Sequence, residues 1–274
     1  MPTTSTAPLW DTFPLVCCIN LQERNDRLAQ AQEEFAKAGI RRVDFFRTPR
    51  REGDTDGAII DSHMACLERA VEQDVPYSLI FEDDVEFDPS LAEHLGRVIR
   101  FLEKNPSWEI FHLGAFFIRQ CEEVEPHIIR GGMITVHAYV IKTSLARKLI
   151  EMRPFCTGMS IDLFYSVVVG NNAFGHTYPL LCLQRASASD GTWDKSGKNM
   201  EGWLGKAMVF TSLTFRDKLR YKEFSLFERL KIRNGMTFFL VFRKILRSRL
   251  NKALRQGKRL VETRPEGNFV TWEA

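Results

Sequence analysis

Three consecutive carboxylates, Glu82-Asp83-Asp84, follow directly on the apolar run Tyr77-Ser78-Leu79-Ile80-Phe81. Like charges side by side repel, and an apolar strand draws them toward low dielectric, so the ionised cluster is costly unless something offsets it. A divalent cation does so. Mg²⁺ and Mn²⁺ prefer oxygen ligands, and Mg²⁺ commonly takes one or two carboxylates together with substrate phosphates. Consecutive side chains on an extended segment point to opposite faces, so Glu82 and Asp84 share one face and are the expected ligands of Mn²⁺ or Mg²⁺. Two other readings stand beside this one. The triplet could be a solvated acidic turn, with Asp84 or Asp88 favouring the N-terminus of a following helix. It could also be a phosphotransferase cluster, but that chemistry wants an Asp nucleophile on the first strand, where Cys17-Cys18-Ile19-Asn20 has none.

The elements that must position the triplet are legible as alternating strands and helices. Residues 14–21 (PLVCCINL) read as a buried strand, 43–46 as a second, 77–81 as a third, 108–113 as a fourth and 136–141 as a fifth. Between them, Arg24 to Ala38 reads as a helix with Leu28, Ala31, Phe35 and Ala38 on one face and Gly39 as its stop. Further helices are expected over 62–73, capped by Asp61 or Ser62, over 89–104, with Pro89 in its first turn, and over 144–152. Residues 50–57 read as a loop. The alternation predicts an α/β sandwich on a mostly parallel sheet, a class in which ligands gather beyond the carboxyl ends of the strands. The triplet sits at such an end.

Several ordered segments resemble glycosyltransferase family 25, which includes lipooligosaccharide and collagen galactosyltransferases. They are Ile19-Asn20-Leu21 with Arg24 and Arg27, Gly57 through Ser62-His63, Leu79 through Val85 around the triplet, Phe111-His112-Leu113-Gly114, Ala138-Tyr139-Val140-Ile141, Ile161-Asp162, and Gln184 through Ser189-Asp190. Together they span residues 14–192, about two thirds of the chain. The chain departs from the family pattern at Ala58-Ile59-Ile60-Asp61, where Gly-Cys is usual before Ser-His, and in lacking a tryptophan in the helix that follows. The resemblance implies a GT-A-like, single Rossmann-type nucleotide-sugar-binding domain and transfer of a sugar, galactose or glucose, from a UDP-linked donor. It also implies a hydroxyl acceptor on a glycan, glycolipid or protein, and inversion at the anomeric carbon. A catalytically inactive member serving as a binding or scaffold module is the alternative.

Each candidate residue has a functional role and a structural one. Asn20 and Leu21 end the first strand, where they could contact the nucleoside. Arg24 and Arg27 suit phosphate through their planar donor forks, or pair with acids on a solvated helix face. Arg47, just past the second strand, could reach the donor or lie on the surface. Asp83 faces a ribose or the loop. Ser62 either caps its helix or helps a helix start bind an anion, and His63 is placed to hydrogen-bond donor or sugar hydroxyls. An inverting transferase needs a base for the acceptor hydroxyl: Asp162 is the first candidate, with helix capping as its alternative role, and Asp190 the second, with a turn as its alternative. His137 is placed for a pocket near Tyr139, His112 for the core, and His176 for late metal ligation.

Charge is unevenly spread. Residues 216–259 carry 15 Lys/Arg and 3 Asp/Glu, whereas residues 1–215 carry 22 and 29. The expected organisation is a leader (1–13), a glycosyltransferase domain (14–215) and a helical basic C-terminal appendage (216–274). The apolar segment Met236 to Phe242, flanked by basic residues, suits an in-plane helix on an anionic membrane, or a helix packed on the domain. Nucleic acid is not an expected partner, since no recognition motif accompanies the charge. The six cysteines show no CxxC or zinc spacing and read as buried free thiols of a reducing compartment. With no secretory signal and no apolar run long enough to span a bilayer, a cytoplasmic protein with peripheral membrane contact is expected.

Overall fold

Residues 16–19 and 79–81 are apolar at every position rather than at alternate ones, the pattern of strands covered on both faces. They become the centre of one mixed sheet. In chain order the elements are α1 (Ala7–Trp10), β1 (Val16–Leu21), α2 (Asn25–Ala38), β2 (Arg42–Thr48), α3 (Thr55–Glu72), β3 (Tyr77–Glu82), β4 (Val85–Phe87), α4 (Leu91–Lys104), β5 (Ile110–His112), β6 (Phe116–Glu125), β7 (Ile128–Ile134), β8 (Ala138–Lys142), α5 (Thr143–Met152), α6 (Ile161–Val169), β9 (Ala173–His176), β10 (Cys182–Gln184) and β11 (Asn268–Glu273). The structure is a computed structural model and describes residues 7–114, 116–134, 136–156, 159–176, 180–185, 248, 251–252, 255–257 and 265–274.

The nine-stranded sheet has the order β11-β2-β1-β3-β8-β5-β9-β7-β6, and β4 pairs with β10 in a small second sheet. The α/β class is as expected. The mostly parallel sheet is not: β1 is parallel to β2 and β3, and β5 to β9, but the five remaining pairings in the sheet are antiparallel. The cause lies between residues 113 and 138. There the chain does not cross over through a helix. It doubles back as the β6–β7 hairpin, turning at His127 with a positive φ of 69°, so β8 enters beside β3 from the opposite end.

Side-chain alternation divides the core between the two faces. Ile80, Tyr139 and Ile141 pack under α3, α5 and α6 with Met64, Leu67, Leu145 and Phe164. Leu79, Phe81 and Val140 pack under α2 and α4 with Phe35, Leu95 and Val98. Full burial of each such side chain contributes about 1.5–3 kcal/mol relative to exposure.

Several boundaries differ from the sequence reading. α2 does end at Gly39, which takes the left-handed conformation (φ 80°) and donates its N–H to the Ala36 carbonyl at 3.1 Å. α3, however, begins at Thr55. Asp54 caps it by accepting the Gly57 N–H at 3.1 Å, so Ser62 and His63 lie inside the helix, not at its start. Ser62 Oγ donates to the Ala58 carbonyl at 2.8 Å and caps nothing. α4 starts after Ser90, which leaves Pro89 ahead of the helix. Within the expected leader, residues 7–10 form α1, and buried Trp10 donates its Nε1–H to the Ala38 carbonyl at 2.8 Å.

The far end of the expected helical appendage is a strand. β11 pairs antiparallel with β2, because Phe269 packs on Phe46 with ring centroids 5.1 Å apart and Trp272 packs on Phe35 at 6.4 Å. Nearly all of 216–259 lies outside the described residues, as does Asp190. Cys17, Cys18, Cys66, Cys156 and Cys182 are buried free thiols. Among the described residues no helix is long and apolar enough to cross a membrane.

Candidate active site

Because β2, β1 and β3 are parallel neighbours, their carboxyl ends line up. Asn20 stands opposite Arg47, and Ile19 opposite Glu82. Antiparallel β8 brings its own start to the same row, where the His137 carbonyl accepts the Glu82 N–H at 2.8 Å. Gly114 lies two residues past the end of β5, the next strand but one. A side chain there would run into the His137 ring and the Cys182 carbonyl, so glycine lets the segment 181–185 pass close by. That segment then folds over the triplet: Gln184 pairs with Val85, the Arg185 N–H donates to the Asp84 carbonyl at 2.6 Å, and Gln184 Nε2 donates to Glu82 Oε2 at 3.2 Å.

Within the triplet the faces divide by residue. Asp83 is buried. It accepts from Asn20 Nδ2 at 2.6 Å and from Arg27 Nη1 at 3.1 Å. Asn20 is itself buried, and its amide also donates to the Arg24 carbonyl at 3.1 Å. The contacts that the sequence reading gave Asp83 and Asn20 with a ribose and a nucleoside stand beside this engagement with each other, and Asn20 Oδ1 has no hydrogen-bond partner. The two residues join the β1–α2 turn to the end of β3 from inside. Arg27 is turned inward rather than lying on a solvated face, and its Nη1 also stands 3.8 Å from Asp84 Oδ2.

Glu82 and Asp84 are only partly buried. Burial, followed by the charge of Asp83, pushes the Glu82 carboxyl up to about 7. Burial, followed by the charge of Glu82, pushes Asp84 up to about 7. Arg27 opposes both shifts. Asp84 Oδ1 is buried and has no hydrogen-bond partner. Two oxygen donors under mutual repulsion, one of them with an unused buried lone pair, fit a hard divalent cation whose other ligands are water and phosphate oxygens. Among the described residues no group of three His, Cys, Asp or Glu side chains is arranged to hold a metal on its own.

Behind Glu82 lies His63, fully buried, with Nε2 3.4 Å from Glu82 Oε1. Its Nδ1 is 2.9 Å from the Tyr139 hydroxyl, which is 3.0 Å from the Tyr165 hydroxyl. Burial holds the His63 imidazole down at about 3, although the charge of Asp162 works the other way. Contact with a sugar hydroxyl is closed to a ring so enclosed. Asp162 is half-buried in the first turn of α6, and Ser160 is the cap there, its Oγ accepting the Leu163 N–H at 3.4 Å. The capping role considered for Asp162 thus belongs to Ser160.

The remaining candidates lie around this centre. Leu21 is half-buried at the tip of β1, and its carbonyl accepts the Arg24 N–H at 3.0 Å. Arg24 pairs with Asp26 at 2.8 Å. Arg47 Nη2 donates to the Gln22 carbonyl at 2.7 Å and to Asn25 Oδ1 at 3.0 Å, tying β2 to the turn after β1. His137 is buried, held down to about 4 by that burial, with Nε2 3.2 Å from the Cys182 carbonyl; it shapes the wall rather than opening into a pocket. His112 is in the core, its ring 6.2 Å from that of Tyr139. His176 is in β9, packed with His94 and His127 at ring-centroid distances of 4.8 and 5.7 Å. Sequence reasoning missed Tyr139, Tyr165 and Gln184 as parts of the site. Tyr139 and Gln184 stand within recognisable segments, but nothing in their spacing says that they meet Glu82 or His63.

Residues 57–165 match glycosyltransferase family 25 (LPS biosynthesis protein), so the family resemblance read in the sequence holds from α3 into α6, across the triplet and Asp162. A Rattus norvegicus protein named "Probable inactive glycosyltransferase 25 family member 3" is 27% identical over 113 residues, covering 39% of this chain and 20% of that one. An Aedes aegypti "Glycosyltransferase 25 family member" is 22% identical over 116 residues, covering 40% and 19%. The chain thus spans about a fifth of the length of these curated relatives. Among solved structures, a glycosyltransferase involved in glycosylation of the major capsid of PBCV-1 aligns with 61% of this chain and 86% of its own, at 12% identity and a TM-score of 0.36.

Proposed function

We propose that the protein is a GT-A-like glycosyltransferase that moves a hexose, galactose or glucose, from a UDP-linked donor to a hydroxyl acceptor with inversion. The observation that carries this reading is Glu82 at the carboxyl end of β3 with Asp84 in the turn that follows it, each carboxyl raised by burial and Asp84 further by the charge of Glu82, with Asp84 Oδ1 buried and unpaired. Glu82 and Asp84 would hold Mn²⁺ or Mg²⁺, which when bound offsets the negative charge of the departing nucleoside diphosphate. Arg24, on the turn after β1, supplies a further cation for phosphate. Asp162 takes the proton of the acceptor hydroxyl as its oxygen bonds to the anomeric carbon and the bond to the diphosphate oxygen breaks. The basic segment 216–259 would hold the enzyme at an anionic membrane surface, suiting a lipid-linked acceptor.

The test is release of UDP from a panel of UDP-sugars with Mn²⁺, with Mg²⁺ and with chelator. Slow hydrolysis of one sugar, lost on chelation and in Asp84→Ala, is the expected result. Absence of both turnover and UDP binding overturns the reading. The names of mammalian relatives such as the rat protein favour a second reading, an inactive binding module. Metal-dependent UDP binding without hydrolysis or transfer to any acceptor class would support that one.

A further inference from the structure

Glu82 has polar neighbours on two sides, and only one of them is on the surface. Gln184 donates to Oε2 at 3.2 Å. Oε1 lies 3.4 Å from the fully buried His63 Nε2, a nitrogen that has no hydrogen-bond partner. We infer that Tyr165, Tyr139 and His63 form a one-directional hydrogen-bond chain that positions Glu82, and that the three are positioning residues of the site. The inference rests on the proposed transfer reading for its purpose, but its chemistry is read from the residues alone.

The direction follows from donor and acceptor inventories. A carboxylate that holds a cation is deprotonated and only accepts, and a neutral imidazole has one N–H and one lone pair. A ring enclosed by Tyr139 (17° between planes) and Tyr165 (71°) is far from water and stays neutral. Its proton must then be on Nε2, facing Glu82, which leaves Nδ1 as acceptor. Tyr139 therefore donates to Nδ1, and its oxygen accepts from Tyr165. Every hydroxyl in the chain has one role open to it. The 3.4 Å approach of His63 Nε2 to Glu82 Oε1 is the one link that is not a formed hydrogen bond; in the inferred chain a small swing of Glu82 closes it. The opposite tautomer would aim a lone pair at the carboxylate and push Glu82 off the face it shares with Asp84.

The arrangement also sets distances between elements. His63 belongs to α3, Tyr139 to β8, Glu82 to β3, and Tyr165 stands one helical turn after Asp162 on α6. The chain therefore ties the helix carrying the base to the strand carrying the metal-facing carboxylate. Partners behind a metal ligand are typically worth 10–100-fold in metal affinity.

Two readouts test this on the full-length protein. Imidazole ¹⁵N spectra recorded with Mg²⁺ at pH 8.5, where Glu82 is deprotonated, with His63 assigned by its loss in His63→Gln, should show the Nε2–H tautomer in the wild type and a tautomer mixture in Tyr139→Phe, which keeps the ring but removes the hydroxyl. Calorimetry should show UDP affinity in Mn²⁺ falling about tenfold or more in Tyr139→Phe, UDP affinity in chelator unchanged, and part of the loss recovered in a His63→Gln background, where the amide can still donate to Glu82. An Nδ1–H tautomer, or Tyr139→Phe binding UDP and Mn²⁺ as the wild type does, overturns the chain. A wild type with the Nε2–H tautomer that binds no UDP with Mn²⁺ overturns the transfer reading instead and leaves the chain standing as the support of Glu82.

Discussion

At the scale of single residues, the triplet separates function from stability. Asp84 sits in an environment that resists its charge, so Asp84→Asn should leave the fold as stable or raise it by about 1 kcal/mol at pH 8, while metal-dependent sugar release falls on the order of 10²-fold. Paired urea titrations and UDP-release rates check this; loss of both stability and activity would mean that Asp84 is structural. Arg27→Ala should do the reverse in kind. It leaves Asp83 buried without its cation, at a cost of about 3–5 kcal/mol in chemical denaturation. That the triplet follows a buried strand was legible from the apolar run before it, although the strand ends at Glu82 and Asp83 and Asp84 lie in the turn that follows. That Asp83 is gripped by Asn20 and Arg27 was not, because the partners are 63 and 56 residues away and meet only once β1 and β3 pair.

At the scale of elements, local signals worked where the chain obeys them and failed where a distant contact decides. Gly39 stopped α2 as its type demands. α3 was expected seven residues late because Asp61-Ser62 resembles a cap, whereas Asp54 takes that role. Asp54→Ala should therefore lower stability by about 1 kcal/mol, while Ser62→Ala, with its hydroxyl on a helix carbonyl, should cost less; thermal denaturation of both variants distinguishes them. β11 was illegible for a different reason. Nothing in Asn268 to Glu273 says that it returns to β2, and the pairing depends on Phe46 and Phe35 as landing places. The three strands that become the parallel trio β2-β1-β3 were readable from their apolar runs, though not their order, and the reversal that makes β8 antiparallel depends on a hairpin whose strands carry weak patterning.

At the scale of the whole molecule, the buried groups give an unusual pH response. His63 and His137 titrate at about 3 and 4 in the fold, against 6.5 when unfolded, through burial, and burial lowers His94 too. As pH falls below 6.5 the unfolded chain takes up protons that the fold refuses, so these histidines remove about 1.4 kcal/mol per unit each. Glu82 and Asp84 act oppositely: near 7 in the fold and 4.5 and 3.8 unfolded, they bind protons in the fold first and add stability as pH falls from 7 toward 4.5. The metal-free wild type should thus vary little between pH 4.5 and 6.5, whereas Glu82→Gln/Asp84→Asn should lose about 2–3 kcal/mol per unit there. Urea unfolding at several pH values checks this, and parallel profiles would contradict it. The central claim is that the carboxyl ends of β1 and β3 make a cation-assisted nucleoside diphosphate site. Calorimetric titration of UDP into the protein with Mn²⁺ and with chelator tests it most directly. The account predicts binding that Mn²⁺ strengthens in the wild type and does not strengthen in Asp84→Asn. Binding of equal strength in all of these conditions, or in none, would contradict it.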